Sequence, residues 1–182
     1  MEQIQMSKGI HLTDYHEAVR LWLKSHVPWL KSVEYYPEIT ETLETPCAFI
    51  AVMGWEPEPN QPGNGQLSVK MHCEILVAVG VKEDTHQLDA RNAAMFLSVV
   101  LQNTNFGLKA MPVNVLSANP DALEPELDDY AVWAIKYVQN VTIGLPTLEP
   151  DEERGIRLAV NPENMDDKNE YQPLGDFDET NN

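Results

Sequence analysis

The segment from Leu67 to Gly80 constrains the fold more than any other part of the chain. Apolar residues occupy every second position from Leu67 to Val79. The residues between them are first polar and then small or apolar: Ser68, Lys70, His72, Glu74, Leu76, Ala78 and Gly80. Because successive side chains of a strand point to opposite faces, this alternation predicts a long β-strand with one face on a hydrophobic core. The far end of its second face must also be covered.

A second strand is predicted immediately before this one. Cys47 to Trp55 is a nearly continuous apolar run, typical of a strand that is covered on both faces. The connecting segment, Glu56 to Gln66, contains three prolines and two glycines and should be an exposed loop. The two strands and the loop together predict a long β-hairpin with an extended tip.

The first amphipathic helix is predicted from Asp14 to Val27, where apolar residues recur at helical spacing. Thr13 or Asp14 is expected to cap it by accepting hydrogen bonds from the first turn, and Pro28 ends it.

The second helix is predicted from Asp84 to Asn103. Asp84 and Gln87 are spaced like a capping box, and Asn105 and Gly107 supply the stop. Its larger apolar residues are expected on the core: Leu88, Met95, Phe96, Val99 and Val100.

Three further strands complete the predicted sheet. Ser32 to Ile39 is interrupted by Pro37 and should be short or at an edge. Val113 to Ala118 is a short strand followed by a loop rich in Pro, Asn and Asp. Tyr130 to Ile143 is apolar on both faces and should be central. The predicted fold class is α+β, a mixed and mainly antiparallel sheet with a long hairpin, backed by two helices.

Charge divides the chain into two parts. The net charge is −17 from 12 basic and 29 acidic residues, which disfavours nonspecific nucleic-acid binding because phosphates would be repelled. Residues 145–182 hold 11 acidic and 3 basic residues and few periodic apolar positions. We therefore predict a folded domain over residues 1–144 and an acidic C-terminal extension over residues 145–182, ordered only when it docks on a partner.

The N-terminal segment has no basic region leading into an apolar run, and no apolar stretch is long enough for a membrane span. We expect synthesis in a reducing cytosol and no membrane partner. Cys47 and Cys73 fit that expectation as small buried hydrophobes, although their spacing alone does not exclude a disulfide.

The search for metal ligands finds no convergent set. His72 and Cys73 are neighbours in a strand and must point to opposite faces, so they do not readily share an ion. His11 and His16 stand five apart across a helix start, which is poor geometry for one site. No cofactor or metal site is predicted.

The search for catalytic residues gives only weak candidates. No phosphate-binding loop or nucleophile elbow is present. His72 and Glu74, on one strand face, are the best candidates for a polar site, and a solvated or interface surface is the simpler interpretation. The other acidic pairs are interpreted as solvated loop carboxylates: Glu56 with Glu58, and Asp128 with Asp129.

The order of elements resembles that of the tail terminator proteins of tailed bacteriophages. The resemblance is to the Mu-like contractile-tail group, which is related in architecture to the lambda-like terminators, and it covers about residues 10–145. It is carried by WLKSHVPWLKSVEYY, TPCAFIAVMGWEPEP, GQLSVKMHCEILVAVGV, DARNAAMFLSVVLQ and DDYAVWAIKYVQNVTIG.

The resemblance implies a structural virion protein without catalytic residues. Six copies would form a ring at the head-proximal end of the tail tube, stop polymerisation of tube and sheath, and join the tail to the neck. The implied partners are further copies of the chain, tail tube, sheath and neck or connector proteins, with DNA passing through the lumen without specific binding. We expect the polar half of the hairpin and its loop at a subunit interface.

Two alternatives remain open. One is another neck or head-completion component. The other is a small α+β ligand-binding domain or enzyme that uses the face of His72 and Glu74.

Overall fold

The computed structural model describes residues 9–35, 43–81, 85–121, 130–146, 157–158 and 172–173. The chain divides into two compact units, Met1–Thr147 and Leu148–Asn182. In the second unit the described residues are one short antiparallel pair, Arg157–Leu158 with Gln172–Pro173. Ordering of the acidic extension by a partner stays a prediction.

The first unit contains two helices and a five-stranded sheet among its described residues. The strand order is β1-β2-β3-β5-β4, in which β1 is parallel to β2 and all other neighbours are antiparallel. The predicted α+β fold with a mixed, mainly antiparallel sheet is confirmed. The elements in chain order are α1 Leu12–His26, β1 Ser32–Tyr35, β2 Cys47–Pro57, β3 Leu67–Gly80, α2 His86–Leu101, β4 Asn114–Pro120 and β5 Tyr130–Ile143.

The β2–β3 hairpin is the predicted one, with β2 extended by two residues. Cys47 pairs with Ala78 at one end and Pro57 with Val69 at the other. The loop is held to β3 by Gln61, whose side-chain oxygen accepts from the Ser68 amide at 2.9 Å and whose nitrogen donates to the Ser68 carbonyl at 3.0 Å. These bonds add to the last backbone bond of the hairpin, in which the Glu58 amide donates to the Ser68 carbonyl at 2.9 Å.

β5 lies in the interior of the sheet, as predicted. It pairs with β3 along its whole length, from Tyr130 opposite Gly80 to Ile143 opposite Leu67. Its other side pairs with β4, the edge strand. β4 runs to Pro120, so the first residues of the predicted loop belong to the strand instead, since their bonds to β5 outweigh local turn preference.

Both helices pack on the same face of the sheet. The core on this face combines apolar side chains of both helices with alternate residues of β3 and β5. The second face carries a smaller cluster at the far end of β3, as its change from polar to apolar residues predicted. That cluster consists of Cys47, Phe49, Leu76, Ala78, Val132 and Ala134, with Leu43 and Tyr130 packed against it.

The start of α1 differs from the prediction. The helix begins at Leu12 with His11 in the N-cap position, and no side chain caps it. The chain before it is tied to β5 by two backbone hydrogen bonds, from Gly9 to Gly144 at 3.0 Å and from Ile10 to Thr142 at 2.7 Å. Tertiary anchoring therefore sets this helix start, and Thr13 and Asp14 lie inside the first turn.

The ends of α2 are also shorter than predicted. Thr85 holds the N-cap position without a side-chain bond to the backbone; its hydroxyl donates instead to the Asp89 carboxylate at 2.8 Å. Asp84, the predicted cap, lies outside the described residues. The helix ends at Leu101 because Asn103 takes a left-handed conformation, with φ of 68°.

The predicted core stripe of α2 is wrong. The buried residues are Ala90, Ala94, Leu97 and Leu101, whereas Leu88, Met95, Phe96 and Val99 are exposed, and Val100 is partly buried. The helix is apolar on both sides in its second half, so periodicity did not distinguish the two. Alanines on the inner side let the helix lie close to the sheet.

Candidate functional site

His72 and Glu74 share a sheet face, but they contact different partners. Glu74 lies opposite Lys136 of β5, whose Nζ is 3.6 Å from the carboxylate. His72 is half exposed, and its Nε2 lies 3.4 Å from the Glu56 carboxylate of β2. Glu74 was expected on a solvated surface and is instead only 8% exposed, since both neighbouring strands flank it.

The same face continues as a row of charges toward the hairpin loop. The Lys70 ammonium lies 3.9 Å from the carboxylates of both Glu56 and Glu58. Exposed ion pairs at this distance contribute little to stability and leave the charges available to another surface. The two glutamates therefore form part of a charged sheet face. Asp128 and Asp129 lie outside the described residues.

The cysteines and histidines do not form a shared site. Cys47 and Cys73 are free and belong to clusters on opposite faces of the sheet, and burial raises the pKa of each thiol to about 11. His16 stacks on Tyr35 with ring centroids 5.3 Å apart, and burial lowers its pKa. Among the described residues, no group of three or more His, Cys, Asp or Glu side chains is placed to hold a metal ion.

A buried polar cluster lies where α1 meets the sheet. The Tyr15 hydroxyl donates to the Gln139 side-chain oxygen at 2.9 Å and lies 3.3 Å from the Tyr137 hydroxyl. Gln139 in turn donates to the Met111 carbonyl at 2.8 Å. Burial raises the pKa of both tyrosines, which remain neutral and serve to position the helix. Gln139, a polar residue on an otherwise apolar strand face, was the sequence signal for it.

A cleft of about 1280 Å³ opens at the end of the sheet where β3 ends and β5 begins. Its walls are mainly apolar and include Trp29, Val79, Phe96 and Tyr130. The rings of Trp29 and Phe96 meet edge to face, 6.0 Å apart. His72 and Glu74 do not line it, so the predicted polar face and the cleft are separate features.

The exposed side of α2 is the largest departure from an ordinary solvated surface. We call Leu88, Met95, Phe96 and Val99 the α2 outer face; they are 57%, 69%, 44% and 75% exposed. Residues 92–108 include no charged side chain, in a chain of net charge −17. Arg91, one turn before Met95, is exposed and makes no ion pair with the described residues.

The outer half of the hairpin carries two further exposed apolar residues. Met53 and Trp55 are 66% and 55% exposed. The register shift between Val52 and Gly54 sets Trp55 opposite Met71, on the face of the sheet that packs against the helices. In the described part of the chain, β1 pairs with Cys47–Ile50 only, so from Ala51 onward β2 has a strand neighbour on the β3 side alone. An edge of this kind accepts further backbone or side-chain contacts.

No protein-family model matches this chain, and no curated protein matches its sequence. Among the described residues, no helix is both long and apolar enough to cross a membrane.

Proposed function

We propose that this chain is a structural ring protein of a phage tail, a tail terminator of the Mu-like contractile type. Such a ring, which has six copies in the family that the chain resembles, caps the head-proximal end of the tube and sheath, ends their polymerisation and joins the tail to the neck. Its place is the virion, at the junction of tail and neck, after assembly in the host cytoplasm. No catalytic role and no cofactor are assigned.

The observation that supports this proposal most is the long hairpin with an exposed outer half. Met53 and Trp55 contribute little to the stability of their own domain while they are exposed to solvent. Large exposed apolar residues on one element are typical of association surfaces. Among the described residues, the outer half of β2 pairs on the β3 side only, and an edge of this kind can pair with another strand. Both features suit a subunit that contacts its neighbours.

The charge of the chain is compatible with a DNA passage. A lumen of net negative charge repels phosphates, so a duplex slides through without being held. The exposed sheet face carries Glu56, Glu58 and Lys70 in weak pairs, which would not convert it into a basic DNA-binding surface.

The face of His72 and Glu74 gives less support to a ligand-binding domain or enzyme. Glu74 is buried against Lys136, and His72 contacts a different carboxylate, so the pair does not converge on one point. Replacing both residues by Gln tests this alternative: loss of a bound ligand with unchanged assembly would favour it.

Two measurements test the proposed function. Native mass spectrometry of the purified chain, alone and with tail tube protein, is expected to give a closed oligomer, hexameric by the resemblance. Electron micrographs of tail tubes mixed with the protein are expected to show a ring at one end. A strict monomer with tubes present would contradict the proposal, and a ring that leaves tubes uncapped would favour another neck component.

A further inference from the structure

The loop of the hairpin contains Asn64 followed by Gly65, the only Asn-Gly pair in the sequence. An asparagine side chain can be attacked by the backbone nitrogen of the next residue, and glycine in that place has no side chain to hinder the approach. Gly65 is exposed and takes a left-handed conformation, with φ of 87°. The pair therefore meets the first chemical requirement for loss of the Asn64 side-chain amide.

The side chain of Asn64 is folded forward over the peptide bond that would attack it. Its Oδ1 accepts from the Gln66 backbone amide at 3.0 Å, which closes a turn that contains both Cγ of Asn64 and the nitrogen of Gly65. The same N–H donor stabilises negative charge that develops on Oδ1 during an attack on Cγ. The Gly65 N–H makes no hydrogen bond with any described residue, so no bond must break before it reacts.

Asn105 forms the same kind of turn but has a different residue after it. Its Oδ1 accepts from the Gly107 amide, also at 3.0 Å, and it is exposed. The next residue is Phe106, whose side chain is buried in the core and whose N–H donates to the Thr104 hydroxyl at 3.2 Å. Attack by this nitrogen would break that bond and move a core residue. Asn105 is therefore a matched internal control for Asn64.

We propose that Asn64 is a site of spontaneous deamidation, in which the backbone nitrogen of Gly65 attacks Cγ of Asn64. The N–Cγ bond forms, the Cγ–Nδ2 bond breaks, and the proton of the Gly65 N–H leaves with ammonia. Water then opens the resulting succinimide ring. Opening at Cγ gives aspartate, and opening at the backbone carbonyl of Asn64 gives isoaspartate, in which the main chain passes through Cβ and Cγ. The net reaction converts amide and water to acid and ammonia, without oxidation or reduction.

Deamidation would remove a link between the loop and the end of β5. The Asn64 Nδ2 donates to the Gln66 Oε1 at 2.8 Å, and the Gln66 Nε2 donates to the Gly144 carbonyl at 3.1 Å. A carboxylate in place of the amide has no N–H to donate, and its charge repels the Gln66 oxygen. Each event also adds a negative charge to a chain of net charge −17. The reaction does not depend on whether the chain forms a ring.

Peptide mapping of the aged, full-length protein tests the reaction. The purified chain is kept for days in mildly alkaline buffer, digested and analysed by mass spectrometry, with isoaspartate detected by enzymatic methylation. Asn64 is expected to be converted, mostly to isoaspartate, at least about tenfold faster than Asn105. Asn64→Gln keeps the amide but moves its carbonyl one methylene away from the Gly65 nitrogen, so this variant should keep its amide at that position.

Asn64→Asp tests the link to β5 separately, because it reproduces the charge and the lost donor. Hydrogen exchange of the backbone amides of residues 63–66 is expected to become about fivefold faster, the effect of one lost hydrogen bond. The melting temperature should stay that of the wild type, since the loop lies outside the core. Asn60→Asp adds the same charge at an exposed position of the same loop and is the matched control.

Four results would overturn the proposal or its consequence. Equal conversion of Asn64 and Asn105 would mean that the Gly65 nitrogen has no special role. Conversion of Asn64 to aspartate alone would indicate direct hydrolysis without a succinimide. Loss of the amide from Asn64→Gln at the wild-type rate would contradict attack by the backbone nitrogen. Unchanged hydrogen exchange in Asn64→Asp would mean that the side-chain amide does not hold the loop to β5.

Discussion

The two helices pack on the same face of the same sheet, yet their outward sides are opposite in character. On α1 the outward side carries charged groups, with Arg20 donating to Glu17 at 2.6 Å and Leu21 as an isolated apolar residue. On α2 the outward side carries Leu88, Met95, Phe96 and Val99, and the inward side is half alanine. The first arrangement is typical of a solvated helix face, whereas exposed apolar side chains like those of the second are typical of association surfaces.

Substitutions on the inward sides of the two helices should destabilise the fold to a similar extent, and they have the largest expected effects. Leu23 of α1 and Leu97 of α2 are both fully buried. Changing either to Ala removes packed apolar volume and is expected to lower the free energy of unfolding by about 2–5 kcal/mol. Chemical denaturation measures both. Indifference of Leu97→Ala would mean that the inner side of α2 is not packed as described.

The alanines of α2 provide the next test. Ala94 is 1% exposed against the sheet, and Leu in its place has no room without moving the helix. We expect Ala94→Leu to destabilise the fold by about 1–3 kcal/mol, as overpacking does. Thermal unfolding measures it, and Ala93→Leu, at the partly buried neighbouring position, is the matched control. A stabilised Ala94→Leu protein would show that the helix stands off the sheet.

The strands and the helices also differ in how well the sequence predicted them. Period-two alternation predicted the bounds of β3 and β5 to the residue, because a register shift of one residue would move every side chain to the opposite face of the sheet. The inner side of α2 was missed because Met, Phe and Val outrank Ala as core residues when hydrophobicity alone is weighed. Which side faces the sheet depends on how closely the helix approaches, and that is a tertiary property.

The polar interior was missed for a similar reason. Gln139 lies among apolar residues of β5, and no local pattern reveals that Tyr15, more than a hundred positions earlier, donates to it. The face of His72 and Glu74 was identified correctly as one surface. The pairing of each residue with a separate strand follows from the sheet order, which the alternation did not specify.

Tyr15→Phe tests the comparison of the two helices further, because the Tyr15 hydroxyl belongs to α1 and bonds that helix to β5. Its loss leaves the buried Gln139 oxygen without its donor, and we expect a cost of about 1–3 kcal/mol. Urea denaturation of this variant alongside Tyr35→Phe, whose exposed hydroxyl donates to Glu17, provides the measurement and the control. Equal effects of the two substitutions would remove the special role given to the buried cluster.

On the outward side of α2, polar substitutions should change association and not stability. Met95→Gln combined with Val99→Thr is expected to shift the unfolding free energy of the monomer by no more than about 0.5 kcal/mol. Sedimentation velocity should nevertheless show weaker self-association than the wild type. A large loss of monomer stability would mean that these side chains belong to the core of their own chain.

The smallest expected effect is on the outward side of α1. Hydrogen bonds from Arg20 and then Tyr35 lower the pKa of Glu17 to about 2, below its ordinary 4.5. Because this pKa is depressed in the folded state, its stabilisation is present above the unfolded pKa and is lost as pH falls through about 2. Exposure to solvent keeps the contribution small. NMR titration should place the Glu17 midpoint higher in Arg20→Gln, and an unchanged midpoint would contradict the pairing.

We proposed above that the chain forms a ring on the tail, and electron microscopy of tail tubes incubated with the purified chain tests that proposal most directly. We predict a ring seated at one end of the tube in the wild type and in Leu21→Glu, a control at an exposed leucine of α1. Bare tube ends together with a protein that stays monomeric at every concentration tested would contradict it.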